Sequence, residues 1–200
     1  MRNRYARCML VATVLCATLG VTGAQAAGTG IAVANTPVST TKSLFAVQPP
    51  AGWVYQRGGY DIFTSRDGPL LNNISFELRK HKKAFTASKK GSAPDSLPEE
   101  LAEMYVADLK SQAGISDVNV ISIEPAVLGG QPAFRVHVTY VLMQAMGGAP
   151  FEQVALGAPL QDYLLVARYQ APQLHFFGTY LPAFEESLPT LTLTLPAAKK

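Results

Sequence analysis

The sequence predicts an α+β fold: an antiparallel sheet of about six to seven strands with α-helices packed on it. Two observations carry this. Residues alternate with a period of two over Tyr60–Lys80 and again over Ala133–Met143, which places one set of side chains on each face of a sheet. Between them, Leu101, Met104, Tyr105 and Leu109 recur at helical spacing, giving one amphipathic helix to cover an apolar sheet face.

The first strand pair is Asp61–Ser65 and Ile74–Arg79, joined through Arg66-Asp67-Gly68-Pro69, a run rich in turn-forming residues. Ahead of it, Ser43–Val47 reads as a short strand broken by Pro49-Pro50-Ala51-Gly52. Trp53, the only tryptophan, follows that turn and is expected to be a packing anchor. The helix is expected to open at Ser96-Leu97-Pro98-Glu99, a capping-box spacing, and to close at Gly114. Asp117–Glu124 reads as a strand ended by Pro125. A turn at Gly129-Gly130 then leads to the long strand with Phe134, Val136, Val138, Tyr140 and Leu142 on one face. Phe151–Leu156 and Leu160–Tyr169 are two more strands, the second apolar on both faces and therefore central. Gln173–Leu181 is a compact aromatic segment, Pro182–Leu188 a short helix, and Thr190–Leu195 a last strand or helix tail.

The N-terminus has the features of an export signal. Arg2, Arg4 and Arg7 precede an apolar run from Cys8 to Val21, and Ala24-Gln25-Ala26 is a small-x-small site. Cleavage is expected after Ala26, leaving a periplasmic protein. The apolar run of about 14 residues is short against the roughly 20 that span a bilayer; an uncleaved anchor is the alternative. The expected organisation is therefore residues 1–26 signal peptide, 27–42 flexible leader, 43–196 a single domain and 197–200 a tail. Of 17 Lys+Arg, three lie in the signal, which leaves 14 against 14 Asp+Glu. The basic character of the whole chain thus belongs to the signal and gives no footprint for nucleic acid. Both cysteines also lie in the signal, so the rest of the chain has no disulfide and no thiolate nucleophile.

No hydrolase elbow, zinc-protease motif or phosphate-cradling loop is present, and the three histidines, His81, His137 and His175, have no metal-ligand spacing. No cofactor and no catalytic residue is assigned. Two groups of residues are candidates for binding. Arg79, Lys80, Lys82, Lys83, Lys89 and Lys90 form a basic segment, either a solvated, mobile loop closing a strand or a docking patch for an anionic partner. Arg135, His137, His175, Phe177 and Tyr180 are candidates for a pocket assembled from distant segments.

Five runs, PPAGW, TSRDGPLLNNISFEL, SLPEELAEMYV, PAVLGGQPAFRVHVTY and RYQAPQLHFFGTYLPAFEESL, together resemble an exported bacterial family of uncharacterised proteins with a PsbP-like fold. Gly129–Val138 and Ala171–Phe177 are the more specific parts, and the resemblance spans residues 43–195. It implies a non-catalytic docking or assembly role. The expectation is a soluble periplasmic binding factor in envelope assembly or maintenance, whose partner is an envelope protein or an anionic surface, with membrane contact at most peripheral. A small-ligand binder or an enzyme with a scattered pocket is the alternative.

Overall fold

The computed structural model describes residues 32–33, 35–143 and 147–194. The segments expected as signal peptide, as the start of the leader and as the tail lie outside them. Eleven strands and two α-helices are described: β1 Ala32–Val33, β2 Val38–Ser39, β3 Phe45–Val47, β4 Val54–Arg57, β5 Asp61–Ser65, β6 Asn73–Lys80, α1 Pro98–Lys110, β7 Ile115–Leu128, β8 Gln131–Leu142, β9 Ala149–Pro159, β10 Tyr163–Pro172, α2 Phe176–Ser187 and β11 Thr192–Leu193. The main sheet has eight strands in the order β1-β4-β5-β6-β10-β9-β8-β7, and a small sheet has the order β11-β3-β2. All pairings are antiparallel. This is the α+β architecture expected from the sequence, with β10 in the interior of the sheet as its two apolar faces require.

The main sheet separates two cores. On one face, Ile74, Phe76 and Leu78 of β6 and Leu165, Ala167 and Tyr169 of β10 pack with Trp53, with Phe177 and Phe184 of α2, and with Val38, Phe45 and Val47 of the small sheet. On the other, Leu101, Tyr105, Val106 and Leu109 of α1 meet Phe134, Val136, Val138 and Tyr140 of β8. The amphipathic stripe of α1 is the stripe the sequence shows. Pro50-Ala51-Gly52-Trp53 closes as a turn with Trp53 N donating to Pro50 O at 3.1 Å and Gly52 at φ +77, where a side chain would be strained. The turn sends Trp53 into the core, 2 % exposed. Gly129 and Gly130, both at positive φ, form the two-residue hairpin joining β7 to β8.

Several boundaries differ from the sequence expectation. Pro125 does not end β7. The strand continues to Leu128, and because β7 is the outer strand, the missing N–H at Pro125 disrupts no interior ladder. Pro182 lies inside α2, which begins six residues earlier, at Phe176. Ser96 does not cap α1: Leu97 occupies that position, Pro98 opens the helix, and the Ser96 hydroxyl instead accepts from Ala93 N at 2.9 Å. Gly114 is left-handed, but the helix ends before it, at Lys110. Within the segment expected as leader, Val38–Ser39 pairs with β3, and Val38 and Thr40 are buried.

Gly157 of β9 lies directly across from Phe134, and a Cβ there would sit 2.3 Å from the Phe134 ring. The ring covers the glycine like a lid. Gly157→Ala is expected to displace Phe134 from the α1 core and to cost about 1–3 kcal/mol, the range for overpacking. A urea midpoint equal to that of the wild type would contradict this arrangement.

Candidate functional site

The basic segment is not a free loop. After Lys80 ends β6, His81–Lys83 makes a 3-10 turn, and Phe85 and Lys90 exchange two backbone hydrogen bonds of 3.1 and 3.0 Å. Phe85 is fully buried in the α1 core. Ser88 N donates to the Asp108 carboxylate of α1 at 2.8 Å. His81 Nε2 lies 2.7 Å from Leu160 O, and a carbonyl only accepts, so that nitrogen carries a proton; Nδ1 meets Ser92 Oγ at 2.8 Å. The expectation of a mobile loop is corrected by these anchors: Ser, Gly and Ala here serve tight turns around Phe85, a residue that charge-based reading passes over. Lys80, Lys82, Lys83, Lys89 and Lys90 stand exposed around the pinned loop.

Arg79 does not belong to that exposed set. It lies on the α1 face of β6, where its Nε donates to Glu77 Oε2 at 2.9 Å and its Nη1 to Ala84 O at 3.3 Å. Glu77 also accepts from Ser75 Oγ at 3.1 Å, and Arg168 Nη2 from β10 lies 3.6 Å from it. Burial by itself would raise the Glu77 carboxyl, but Arg79, then Arg168, and the hydrogen bonds from Arg79 and Ser75 outweigh it and hold the pKa below the ordinary value. Asp61, cross-strand from Glu77, moves the other way: desolvation and the Glu77 charge raise it. Arg168 Nε has no hydrogen-bond partner. Next to it under α1, Tyr105 Oη accepts from Gln153 Nε2 at 2.9 Å and has its pKa raised by burial.

A cleft of about 430 Å3 opens here, between β6, the pinned loop and the C-terminal end of α1. Its lining includes Glu77, Arg79, Lys80, Lys83, Asp108 and Gln112. At one side Lys42 donates to Tyr60 Oη at 2.9 Å, and that bond and the lysine's charge lower the phenol's pKa. The arrangement suits binding of an anionic group: cations on a rigid frame with donors facing solvent.

The second candidate group is only partly brought together. Arg135 and His137 lie on the α2 face of β8. Arg135 forms an ion pair with Glu185 of α2. His137 Nε2 lies 2.6 Å from Glu152, and its ring stacks on Phe177 at 5.6 Å between centroids. Phe177 stacks in turn on Tyr169. These contacts fasten α2 to the sheet. Tyr180 lies elsewhere on α2, edge-on to Trp53 at 5.5 Å. His175 is exposed ahead of α2 at φ +71 and makes an edge contact with Phe176. None of the five lines the cationic cleft.

A second recess, missed in the sequence, is an apolar groove of about 360 Å3 over β4 and β5, lined by Val54, Phe63, Ser65 and Pro69 among others. Its end wall is the loop between β5 and β6, which buried Asn72 braces: its Oδ1 accepts from Arg66 N at 2.9 Å and its Nδ2 donates to Asp67 at 2.7 Å. Asn72-Asn73 beside a turn was the available signal. Among the described residues no group of three His, Cys, Asp or Glu is placed to hold a metal, and no helix is long and apolar enough to cross a membrane.

No family model matches the chain, and no curated protein matches it. Solved structures do match. Cyanobacterial PsbP from Synechocystis superposes with a TM-score of 0.55 at 15% identity, covering 88% of this chain and 98% of that one. The Ran-binding protein Mog1p of Saccharomyces cerevisiae gives 0.55 at 13% identity, covering 82% and 97%. A Bacteroides thetaiotaomicron protein gives 0.52 at 11%, covering 83% of this chain and 51% of its own. The chain has the PsbP-like fold that its sequence resembles.

Proposed function

We propose that this chain is an exported, periplasmic binding protein without catalytic activity, acting in assembly or maintenance of the cell envelope through contact with an acidic protein or other anionic surface. The observation that carries the reading is the pinned lysine loop beside the cationic cleft. Its charges stand on a fixed frame, so little ordering entropy opposes their use in recognition. The fold supports a binding role: Mog1p, which shares it, is a Ran-binding protein. The signal-like N-terminus supports export.

The test has two parts. The protein recovered from the periplasm is expected to have an intact mass starting at Ala27; retention of residues 1–26 in the membrane pellet contradicts export. Changing Lys82, Lys83, Lys89 and Lys90 together to glutamine is expected to shift stability by no more than about 0.5 kcal/mol, as surface changes do. The same variant is expected to lose a salt-sensitive interaction with envelope components, since exposed charges are screened over about 8 Å at physiological ionic strength. Equal binding by the variant would remove the loop from the interaction.

A further inference from the structure

The groove lies on the α1 face of the main sheet, and Glu77 and Arg79 bring the cleft to the same face, with Tyr60, Leu78 and Lys80 carrying its lining round the edge of β6. α1 packs chiefly on β7, β8 and β9, which leaves the β4-β5-β6 part of that face without a helix across it. On β5 and β6 the side chains directed to this face are Asp61, Phe63 and Ser65, and Ser75, Glu77 and Arg79. Phe63 sits opposite Ser75, and Asp61 opposite Glu77. The groove is therefore built around Phe63, beside Ser75, and the cleft around Arg79, four residues further along β6. At a strand rise of about 3.3 Å per residue and a spacing of about 4.8 Å between neighbouring strands, Phe63 and Arg79 stand roughly 14 Å apart.

The two recesses differ in chemistry. The groove presents Val54, Phe63 and Pro69. The cleft presents Arg79, Lys80 and Lys83, with Arg168 behind. Against these four cations stand Glu77, Asp108 and the nearby Asp61. Glu77 is held between two guanidinium groups, and buried Asp108 accepts from Ser88 N. The balance is positive, and Lys82, Lys89 and Lys90 add to it from outside. A carboxylate is the complement.

We propose that this half-face docks an extended segment of an acidic protein partner. One apolar side chain enters the groove at Phe63, and one carboxylate, four positions along, enters the cleft between Arg79 and Lys83. In an extended chain, side chains four positions apart point the same way and lie about 13 Å apart, which is close to the separation of Phe63 and Arg79. A flat bilayer surface meets the rim lysines but not a recess in a sheet face, so the pairing of groove and cleft favours a polypeptide. The inference rests on the reading of the chain as a binding protein and names the chemistry of its partner.

The test uses the isotope-labelled chain from Ala27 onward and a capped heptapeptide with Leu and Glu four positions apart among serine and threonine. Titration followed by amide NMR is expected to shift Val54 and Phe63 together with Arg79 and Lys83. A peptide with Gln for Glu is expected to bind about fivefold more weakly, the upper range for one exposed charge pair. A peptide with Ser for Leu is expected to bind about tenfold more weakly or worse, as loss of a buried leucine implies. The variant Lys83→Gln, a change at an exposed position, is expected to bind the Glu peptide about as weakly as the wild type binds the Gln peptide. Equal binding of the Gln peptide, shifts confined to Lys82, Lys89 and Lys90, or no shift at millimolar peptide each overturn the docking mode. Salt-sensitive binding to phosphatidylglycerol vesicles with both recesses unperturbed by peptide also overturns it, while leaving the binding role in place. Absence of both vesicle and peptide binding, together with unchanged envelope binding by the glutamine variant, overturns both.

Discussion

Replacing Trp53 with alanine lowers the unfolding free energy by about 3–5 kcal/mol, the expected cost of emptying a site that size in a packed core. The indole is 2 % exposed, contacts Tyr180 edge-on at 5.5 Å, and belongs to the core that joins the main sheet, α2 and the small sheet. A cavity there touches three layers that cannot all relax toward it. Because Trp53 is the only tryptophan, tryptophan fluorescence is lost with it. Urea unfolding followed by far-UV circular dichroism gives the comparison, with the midpoint expected to fall at an unchanged slope. A loss below about 1 kcal/mol would place the indole outside the load of the core.

Glu77→Gln is expected to cost roughly 2–3 kcal/mol at neutral pH. Removing one partner of a buried ion pair costs about 3–5 kcal/mol and of an exposed pair at most about 1, and these side chains keep 20–23 % exposure, between the two cases. The loss falls on Arg79 and Arg168, left half-buried without their carboxylate. The pH dependence follows from the lowered carboxyl of Glu77. An acid whose folded-state pKa is depressed stabilises the fold fully above its unfolded value, here near 4.5, and loses that contribution as pH falls through the folded value. The gap between wild type and variant is therefore constant at neutral pH and closes on acidification below about 4.5. Asp61 supplies an independent reading: with the Glu77 charge gone, its raised pKa is expected to fall back toward the ordinary value in an NMR titration. A gap that persists unchanged into acid would separate the variant's cost from the ion cluster.

The elements legible in the sequence are those whose signal is local. Ile74, Phe76 and Leu78 alternate because β6 has a dense apolar core on one face, and Leu101, Tyr105 and Leu109 repeat because α1 covers one side of a sheet. Trp53 follows a turn whose residues dictate its shape. What escaped depends on neighbours distant in sequence. Pro125 and Pro182 break local rules, but one sits on an outer strand and the other in a helix fastened to the sheet by Phe177, Phe184 and the Arg135–Glu185 pair. Val38 reads as leader until β3 gives it a partner. The same holds for the site. The lysines were visible as composition, whereas Glu77 and Arg168 meet only because β6 lies beside β10, with Ser75 opposite Arg168. That Arg135 and His137 share a strand face is legible in the sequence; their partners, Glu185, Glu152 and Phe177, come from β9 and α2 and are visible only in the fold.

The β6–β10 seam also has a kinetic meaning. Strands β4-β5-β6 and β7-β8-β9-β10 are two meanders, each pairing sequence neighbours, whereas the seam joins Asn73–Lys80 to Tyr163–Gln170. Each meander forms through short loops, but the seam requires closure of a loop of roughly 80–100 residues, whose entropy is lost before any contact repays it. Until that closure, Ile74, Phe76, Leu164 and Val166, all fully buried in the native fold, face water along two unpaired edges. The rate-limiting event in folding is accordingly expected to be the meeting of the two meanders. A chain held apart at that stage presents the sticky strand edges that holding chaperones recognise and that aggregates grow from.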